Sequence, residues 1–346
     1  MRLGALTGDN GCKGSFFTKM NNIMKKLLIE CLLLLAVLIA CPCAGAAGFD
    51  INTDGNVDSL DYRLLSERIL DKNAAYEARF DIDGNGTVDA VDLNRLIREM
   101  NRVLVVPVRD GVVIRMIMVE SGTFILGATK EQGADATTDE VAHNVTLTKD
   151  YRIAETVVTE QLWSAVMDTT AAPVASLKPK VRITWHDCKA FVTELNKRTG
   201  LTFRLPTEAE WEFAARGGRL GRGYHYNPKD TASWGYKYAG SDNVDEVAWH
   251  RWNSDLEAHT VALKKPNELG LYDMNGNVYE WCEDWFALFT TAAATNPKGP
   301  ATGVGRVIRG GSYTTEQNYC RVTSRSGYQP GSCVSTLGFR LAMDAK

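Results

Sequence analysis

A twelve-residue, oxygen-rich segment occurs twice in the same frame, and it constrains the fold of this chain more than any other feature. Residues 50–61 read Asp-Ile-Asn-Thr-Asp-Gly-Asn-Val-Asp-Ser-Leu-Asp, and residues 81–92 read Asp-Ile-Asp-Gly-Asn-Gly-Thr-Val-Asp-Ala-Val-Asp. They start 31 residues apart, and a phenylalanine precedes each (Phe49, Phe80). A hard cation needs oxygens that converge from a tightly turned backbone. Positions 1, 3 and 5 offer Asp50, Asn52 and Asp54 in the first copy, and Asp81, Asp83 and Asn85 in the second. Gly55 and Gly86 occupy position 6, where the chain has to turn sharply. Asn56 and Thr87 supply backbone carbonyls, Asp58 and Asp89 stand at position 9, and Asp61 and Asp92 at position 12. The pattern predicts a pair of calcium-binding loops. Each runs into an amphipathic helix, with Tyr62, Leu65 and Ile69 on one face, and Leu93, Leu96, Ile97 and Met100 on the other helix's face.

Position 12 carries Asp where the ordinary EF-hand pattern has Glu, and neither loop has an entering helix. Two loop–helix repeats of this kind resemble a type I dockerin over residues 48–100. The resemblance implies a small helical module that binds calcium and docks onto cohesin domains of scaffold proteins. In that family positions 10 and 11 often hold a Ser/Thr pair that helps choose the cohesin. Here they are Ser59-Leu60 and Ala90-Val91, which departs from that pattern. Without metal the clustered carboxylates repel, so calcium-dependent folding is expected.

The N-terminus points to export. Lys25 and Lys26 precede the apolar run 27–40, and the small residues Ala44, Gly45, Ala46 and Ala47 follow. That order is a secretory signal, so 1–47 is assigned as a targeting segment, with Met24 or Met20 as the better start. Leu38-Ile39-Ala40-Cys41 also resembles a bacterial lipobox, although Pro42 is unusual after its cysteine. Free secretion and a lipid anchor at Cys41 both stay open, and only such an anchor would bring the chain to a membrane. Cys188, Cys282, Cys320 and Cys333 then remain for the folded body, where an oxidising compartment allows up to two bridges in any of three pairings. The net charge of -3, with no local Lys/Arg cluster, argues against a nucleic-acid partner.

Residues 101–111 read as a short connector, and 112–346 as a larger α+β domain. Strands are expected over 112–126, 306–308 and 339–341, and helices over 185–198 and 207–216. The second helix carries a capping box, Thr207 with Glu210. Four phrases stand out. They are Arg204-Leu-Pro-Thr-Glu-Ala-Glu-Trp-Glu-Phe-Ala-Ala-Arg216, Asn267-Glu-Leu-Gly-Leu-Tyr-Asp-Met-Asn-Gly-Asn-Val-Tyr-Glu-Trp281, Arg309-Gly-Gly-Ser-Tyr313 and Leu337-Gly-Phe-Arg-Leu341. Together they resemble the formylglycine-generating enzyme (sulfatase-modifying factor) superfamily across 115–342. The resemblance implies an α+β fold of the C-type-lectin kind.

That family oxidises a cysteine of a sulfatase peptide with copper(I) held by two cysteines, in a Gly-Gly-Ser-Tyr-x-Cys-His-x-x-Tyr-Cys-like segment. Two soft thiolates are what copper(I) requires. Ser312 and Cys320 fall on family positions, but Thr315 replaces the first cysteine, Glu316 the histidine and Tyr279 the usual tryptophan. Copper is therefore not expected, and Cys320 reads as a buried thiol or half of a disulfide with Cys282 or Cys333. His186, His225, His250 and His259 are scattered without metal spacing. A family calcium site does carry over in the resemblance, through Asp273 and Glu280 side chains with the carbonyls of Gly276 and Val278. The segment 314–336, rich in Thr, Ser, Tyr, Gln and Gly, suits a recognition surface. Tyr313, Tyr319, Arg321, Arg325 and Tyr328 are its candidate contacts to a protein or glycan ligand. The arrangement also resembles the variable regions of diversity-generating retroelement target proteins. The favoured expectation is a non-catalytic extracellular calcium-binding protein. The alternatives are a divergent cysteine oxidase, a variable surface protein, and an accessory subunit of a scaffolded polysaccharide-degrading complex.

Overall fold

The computed structural model describes residues 49–53, 57–71, 77–82, 85–168, 170–221 and 235–345. The targeting segment 1–47 with Cys41, the loop positions Asp54, Asn56 and Asp83, and His225 lie outside the described residues. The chain divides into two compact units, one ending at Arg102 and the other starting at Val103.

The first unit holds α1 (Ser59–Leu70) and α2 (Ala90–Met100). Both helices start with the same device. Asp58 and Asp89 are the N-caps, accepting 2.7 Å hydrogen bonds from the N–H groups of Leu60 and Val91. Asp61 and Asp92, three residues on, accept in return from the cap N–H groups at 2.9 and 2.8 Å. Loop positions 9 and 12 therefore double as a capping box for helices too short to be stable alone. Ile51, Tyr62, Leu65, Phe80 and Leu96 form one buried core drawn from both repeats.

The second unit runs through β1 (Val103–Arg109), β2 (Val112–Val119), β3 (Gly122–Leu126), β4 (His143–Leu147) and β5 (Tyr151–Ala154). Helices α3 (Glu160–Met167) and α4 (Trp185–Thr199) follow, then β6 (Phe203–Arg204) and α5 (Glu208–Ala215). Next come α6 (Val244–Val247), β7 (Ala248–Trp249), β8 (Asn275–Gly276) and β9 (Tyr279–Trp285). The chain closes with β10 (Ala294–Thr295), β11 (Arg306–Arg309), β12 (Arg325–Tyr328), β13 (Leu337–Phe339) and β14 (Ala342–Asp344). A five-stranded sheet has the order β1-β2-β5-β14-β6, and a four-stranded sheet the order β12-β11-β9-β13. Helix α4 starts at a Thr184/Asp187 capping box and ends at left-handed Gly200. Its buried face (Cys188, Phe191, Val192, Leu195) packs against Trp281, Ile308 and Phe339 in the main core. The chain thus comprises a small helical unit and an α+β, C-type-lectin-like one, as the sequence implied.

Two expectations change. Residues 101–111 are not a connector, because β1 pairs antiparallel with β2 from Val103↔Ile117 to Arg109↔Val112. Asp110 and Gly111 make the turn, both at positive φ (51° and 79°). An Asp-Gly pair between apolar runs is the strongest short-range hairpin signal, so the strand was legible in the sequence. The strand expected at 339–341 lies instead at Leu337–Phe339, and Arg340 leaves the ladder to enter the core. Nothing lies near a Cβ built on Gly111, so a side chain there meets only backbone strain. Gly111→Ala is therefore expected to cost about 1 kcal/mol, read as a thermal midpoint lowered by roughly 2–4 °C in calorimetry.

Candidate functional site

At the end of β11 the chain turns through Gly310 and Gly311, both at positive φ (93° and 76°). A Cβ on Gly311 would lie 2.8 Å from the Tyr319 carbonyl oxygen and 2.9 Å from Cys320 Sγ. Only glycine lets the segment fold back so closely on itself. Ser312 is buried, and its N–H donates to Thr315 Oγ1 at 2.9 Å while its hydroxyl meets that of Thr314 at 3.1 Å. The turn brings Thr315 Oγ1 to 4.0 Å from Cys320 Sγ. Thr315 thus stands where a second cysteine would complete a pair.

Cys320 is fully buried among Tyr238, Val244, Val247 and Ala248. Burial pushes its thiol up to about 12, so it stays protonated at neutral pH, and it is the thiolate that reacts and binds metal. A buried thiol and a hydroxyl do not fit copper(I), which takes two soft sulfurs, and no copper chemistry follows from this arrangement. Cys188 and Cys282 are also buried free thiols, and Cys333 is an exposed one, so the open question of bridges resolves to none among these four. His250 bonds Asp245 at 2.9 Å, while His259 lies stacked on Trp249 at 3.9 Å and bonds the Ser254 carbonyl.

Of the calcium site expected at Asp273, Gly276, Val278 and Glu280, both acidic side chains have protein partners. Both Glu280 oxygens are engaged by Arg340, at 2.8 and 3.0 Å, and one also accepts from Trp211 Nε1 at 2.7 Å. Asp273 is buried, which raises its carboxyl, and it accepts from the Ala262 N–H at 2.8 Å. Arg340 thus balances the charge of Glu280. In the second loop Asp81 accepts from the N–H groups of Asn85 and Gly86 at 3.1 and 2.8 Å, and Asn85 accepts from the Thr87 N–H at 2.8 Å. These bonds wind the chain around the loop's interior. In the first, Asp61 is buried, which raises its carboxyl, and accepts from the N–H groups of Ile51 and Asn52 at 2.7 and 3.1 Å. The donor set in both loops is all oxygen, which fits calcium.

Of the five candidate ligand contacts, two stay on the surface. Tyr319 is 50% exposed and Tyr328 41%. Tyr313 is buried, its hydroxyl donating to the Ser335 carbonyl at 3.3 Å. Arg321 and Arg325 are interior anchors rather than ligand contacts. Arg321 makes a two-pronged pair with Glu140 at 2.7 and 2.8 Å, and Arg325 another with Glu208 at 2.6 and 2.7 Å. Burial alone would raise the Glu140 carboxyl, but the bonds from Arg321 and Thr323 hold it below its usual value. Between the two, buried Arg309 donates to the carbonyls of Val322, Thr323 and Ser324 and pairs with Glu212. Residues 321–325 are therefore a pinned frame, and the arms on either side carry the surface. Sequence reasoning missed Glu140 and the exposed Trp252, because nothing local marks either one.

Comparisons with known proteins agree with this geometry. Residues 105–345 match the sulfatase-modifying factor enzyme 1-like domain, and residues 48–101 match the dockerin type I domain. The chain is similar to the formylglycine-generating enzyme of Streptomyces coelicolor, with 39% identity over 176 residues covering 48% of this chain and 53% of that protein. It spans about half the length of that relative. The chaperone protein LppX of Paenibacillus barcinonensis is 28% identical over 259 residues, covering 60% of this chain and 81% of that one. Among solved structures, Treponema denticola variable protein 1 superposes with a TM-score of 0.60 at 30% identity, covering 70% of this chain and 99% of the other.

Asp284, next to this frame, has a testable titration. Burial, then the neighbouring charge of Glu208, raises its carboxyl to about 8, and it accepts from the Glu208 N–H at 2.9 Å. The unfolded chain would release that proton near pH 4. The group's contribution to stability is thus complete below that pH and is lost progressively as pH rises to about 8. Asp284→Asn keeps the shape without the titration. Its thermal midpoint is expected to gain on the wild type from pH 5 to 8 and to hold a constant margin above that. A margin that does not change with pH would mean that Asp284 is ionised in the folded state.

Proposed function

Because the chain belongs to the sulfatase-modifying factor enzyme 1-like family, we propose that its larger unit is a binding domain without the cysteine-oxidising chemistry. Its N-terminal unit is then a calcium-loaded docking arm, and the protein works outside the cell. The observation that carries the reading is the pair Thr315 and Cys320, 4.0 Å apart with one sulfur where the chemistry needs two. The remaining thiol is buried and protonated. What the segment retains is a rigid frame with polar and aromatic side chains displayed on it, which is the composition of a recognition surface. The names of two similar proteins, a chaperone protein and a variable protein, accord with binding rather than turnover.

The test is direct. The wild-type protein, incubated with copper(I) and a Cys-x-Pro-x-Arg peptide, is expected to leave the peptide mass unchanged and to lose its copper to a chelating dye. Thr315→Cys, which sets a second thiol beside Cys320, is expected to retain the metal. Formylglycine in the wild-type reaction would overturn the reading.

The docking arm rests on the dockerin match and on the all-oxygen loops closed by Asp61 and Asp92. Calcium holds the acids of each loop together, and a cohesin is the partner class that the match suggests. The targeting segment 1–47 supports export, either as a free protein or through a lipid on Cys41. Chelator is expected to abolish the helical signal and slow amide exchange of residues 57–100 while leaving the larger unit's melting transition in place. The same preparation should bind a cohesin-loaded resin in calcium and pass through it in chelator. A helical signal unmoved by chelator would remove the calcium requirement.

A further inference from the structure

Arg306, the first residue of β11, is layered between two indoles. Its guanidinium carbon lies 4.0 Å from the ring centre of Trp185 and 3.7 Å from that of Trp285. Trp185 starts α4, and its indole N–H is fixed by a 3.0 Å bond to the Cys282 carbonyl. Trp285 is held by the loop before β11, where a Cβ on Gly303 would come within 2.9 Å of it. The strand register adds a third aromatic, because Arg306 stands directly opposite Trp285 on β9 and Tyr328 on β12. Opposite residues of antiparallel strands share a face. Exposed Tyr328 therefore flanks the guanidinium, on the edge strand of the sheet. The Trp185 N–H donates to the Pro330 carbonyl at 3.0 Å and the Ser332 N–H to that of Gln329 at 2.8 Å, which lays the turn 329–332 against the same stack.

The stack holds a cation without a counter-charge. Arg306 Nη1 donates to the Glu283 carbonyl at 2.5 Å, and Nε is buried with no partner. Nη2 has no partner among the described residues and reaches solvent. Two carboxyls lie nearby, and neither pairs with it. Glu283 turns its side chain to Lys189, at 2.9 and 3.0 Å, and Asp284 keeps its proton up to about pH 8. Burial outweighs both and draws the guanidinium below the usual arginine value. Arg309, Arg321 and Arg325 differ, since each is bound to an interior carboxylate. A planar, weakly hydrated guanidinium with one edge open suits a carboxylate. Both indoles are fixed before any ligand arrives, so little ordering entropy is lost on binding.

We propose that Arg306, backed by Trp185 and Trp285 and flanked by Tyr328, Gln329 and Ser332, binds the carboxylate of an acidic sugar chain. Neighbouring strands lie about 4.8 Å apart. A sugar ring stacked on Tyr328 thus sets a carboxylate, one bond off the ring, toward Arg306 on the next strand. Its hydroxyls meet the polar side chains of Gln329 and Ser332. The inference rests on the binding reading of this domain and names its ligand class. An acidic peptide also carries carboxylates, but it brings no ring to Tyr328.

The full chain in calcium is titrated by calorimetry with trigalacturonate, with its methyl ester and with tri-glutamate. Trigalacturonate is expected to bind, and to bind more weakly in about 0.5 M salt, as an exposed charge contact does. The ester and tri-glutamate are expected to bind about tenfold or more weakly, each lacking one half of the contact. Tyr328→Ala should weaken trigalacturonate about tenfold, in the range of aromatic hot spots, with the thermal midpoint unchanged, and Tyr328→Phe should keep most of the affinity. Arg306→Lys keeps a charge between the indoles but loses the fork, and an affinity loss of about tenfold is expected. No binding of trigalacturonate would overturn the proposal, as would equal affinity for the ester or for tri-glutamate, or binding that survives both Tyr328→Ala and Arg306→Lys. Each of these leaves the non-catalytic reading standing, since that one fails on formylglycine production.

Discussion

Buried carboxylate–guanidinium pairs hold the larger unit in its shape. Helix α5 presents Glu208, Glu210 and Glu212, and each meets an arginine, which for Glu208 and Glu212 comes from a distant part of the chain. Glu208 takes Arg325, Glu210 takes Arg204, and Glu212 takes Arg309 and Arg216. Glu280 with Arg340 and Glu140 with Arg321 complete the set. Taking such groups out of water is expensive, and breaking one pair by removing a partner typically costs about 3–5 kcal/mol. The pairs therefore serve less as net stabilisers than as a constraint on which packing is allowed. A backbone that leaves any one of these charges unmatched is strongly disfavoured.

The same constraint decides what the site can do. Arg309 holds three successive carbonyls of residues 322–324, so the segment between Cys320 and β12 is tied to the core at three points. That frame sets the 4.0 Å approach of Thr315 to Cys320, and it spends the cations that would otherwise face a ligand. It also uses Glu280, which the family resemblance had offered to calcium. Chemistry and recognition are thus separated by burial. The sulfur is closed in and protonated, while Tyr319, Tyr328 and Trp252 stay in solvent.

The family phrases turn out to be halves of these pairs. Arg204 and the three glutamates lie in the first phrase, Glu280 in the second, Arg309 in the third and Arg340 in the fourth. Reading them as a resemblance reached the right fold without saying why the residues are there. Helix α5 was legible because its capping box is local, and the β1–β2 hairpin was legible in Asp110-Gly111 although its strand was assigned to a connector. Arg321 and Arg325 were misplaced on the ligand surface because their partners, Glu140 and Glu208, lie 181 and 117 residues away. No local pattern reveals a contact of that range.

By itself the sequence determined the repeated oxygen loops, the helix start at Thr207, and the replacement of a ligand cysteine by Thr315. Each depends on residue identity at short spacing, where backbone geometry is already fixed. Tertiary structure alone decided which charges are interior, that Cys320 is closed off and that the four thiols stay apart. Those properties belong to burial and to distance between remote segments. They exist only once the ion pairs have drawn helix α5, β9, β11 and the final strands around a common core.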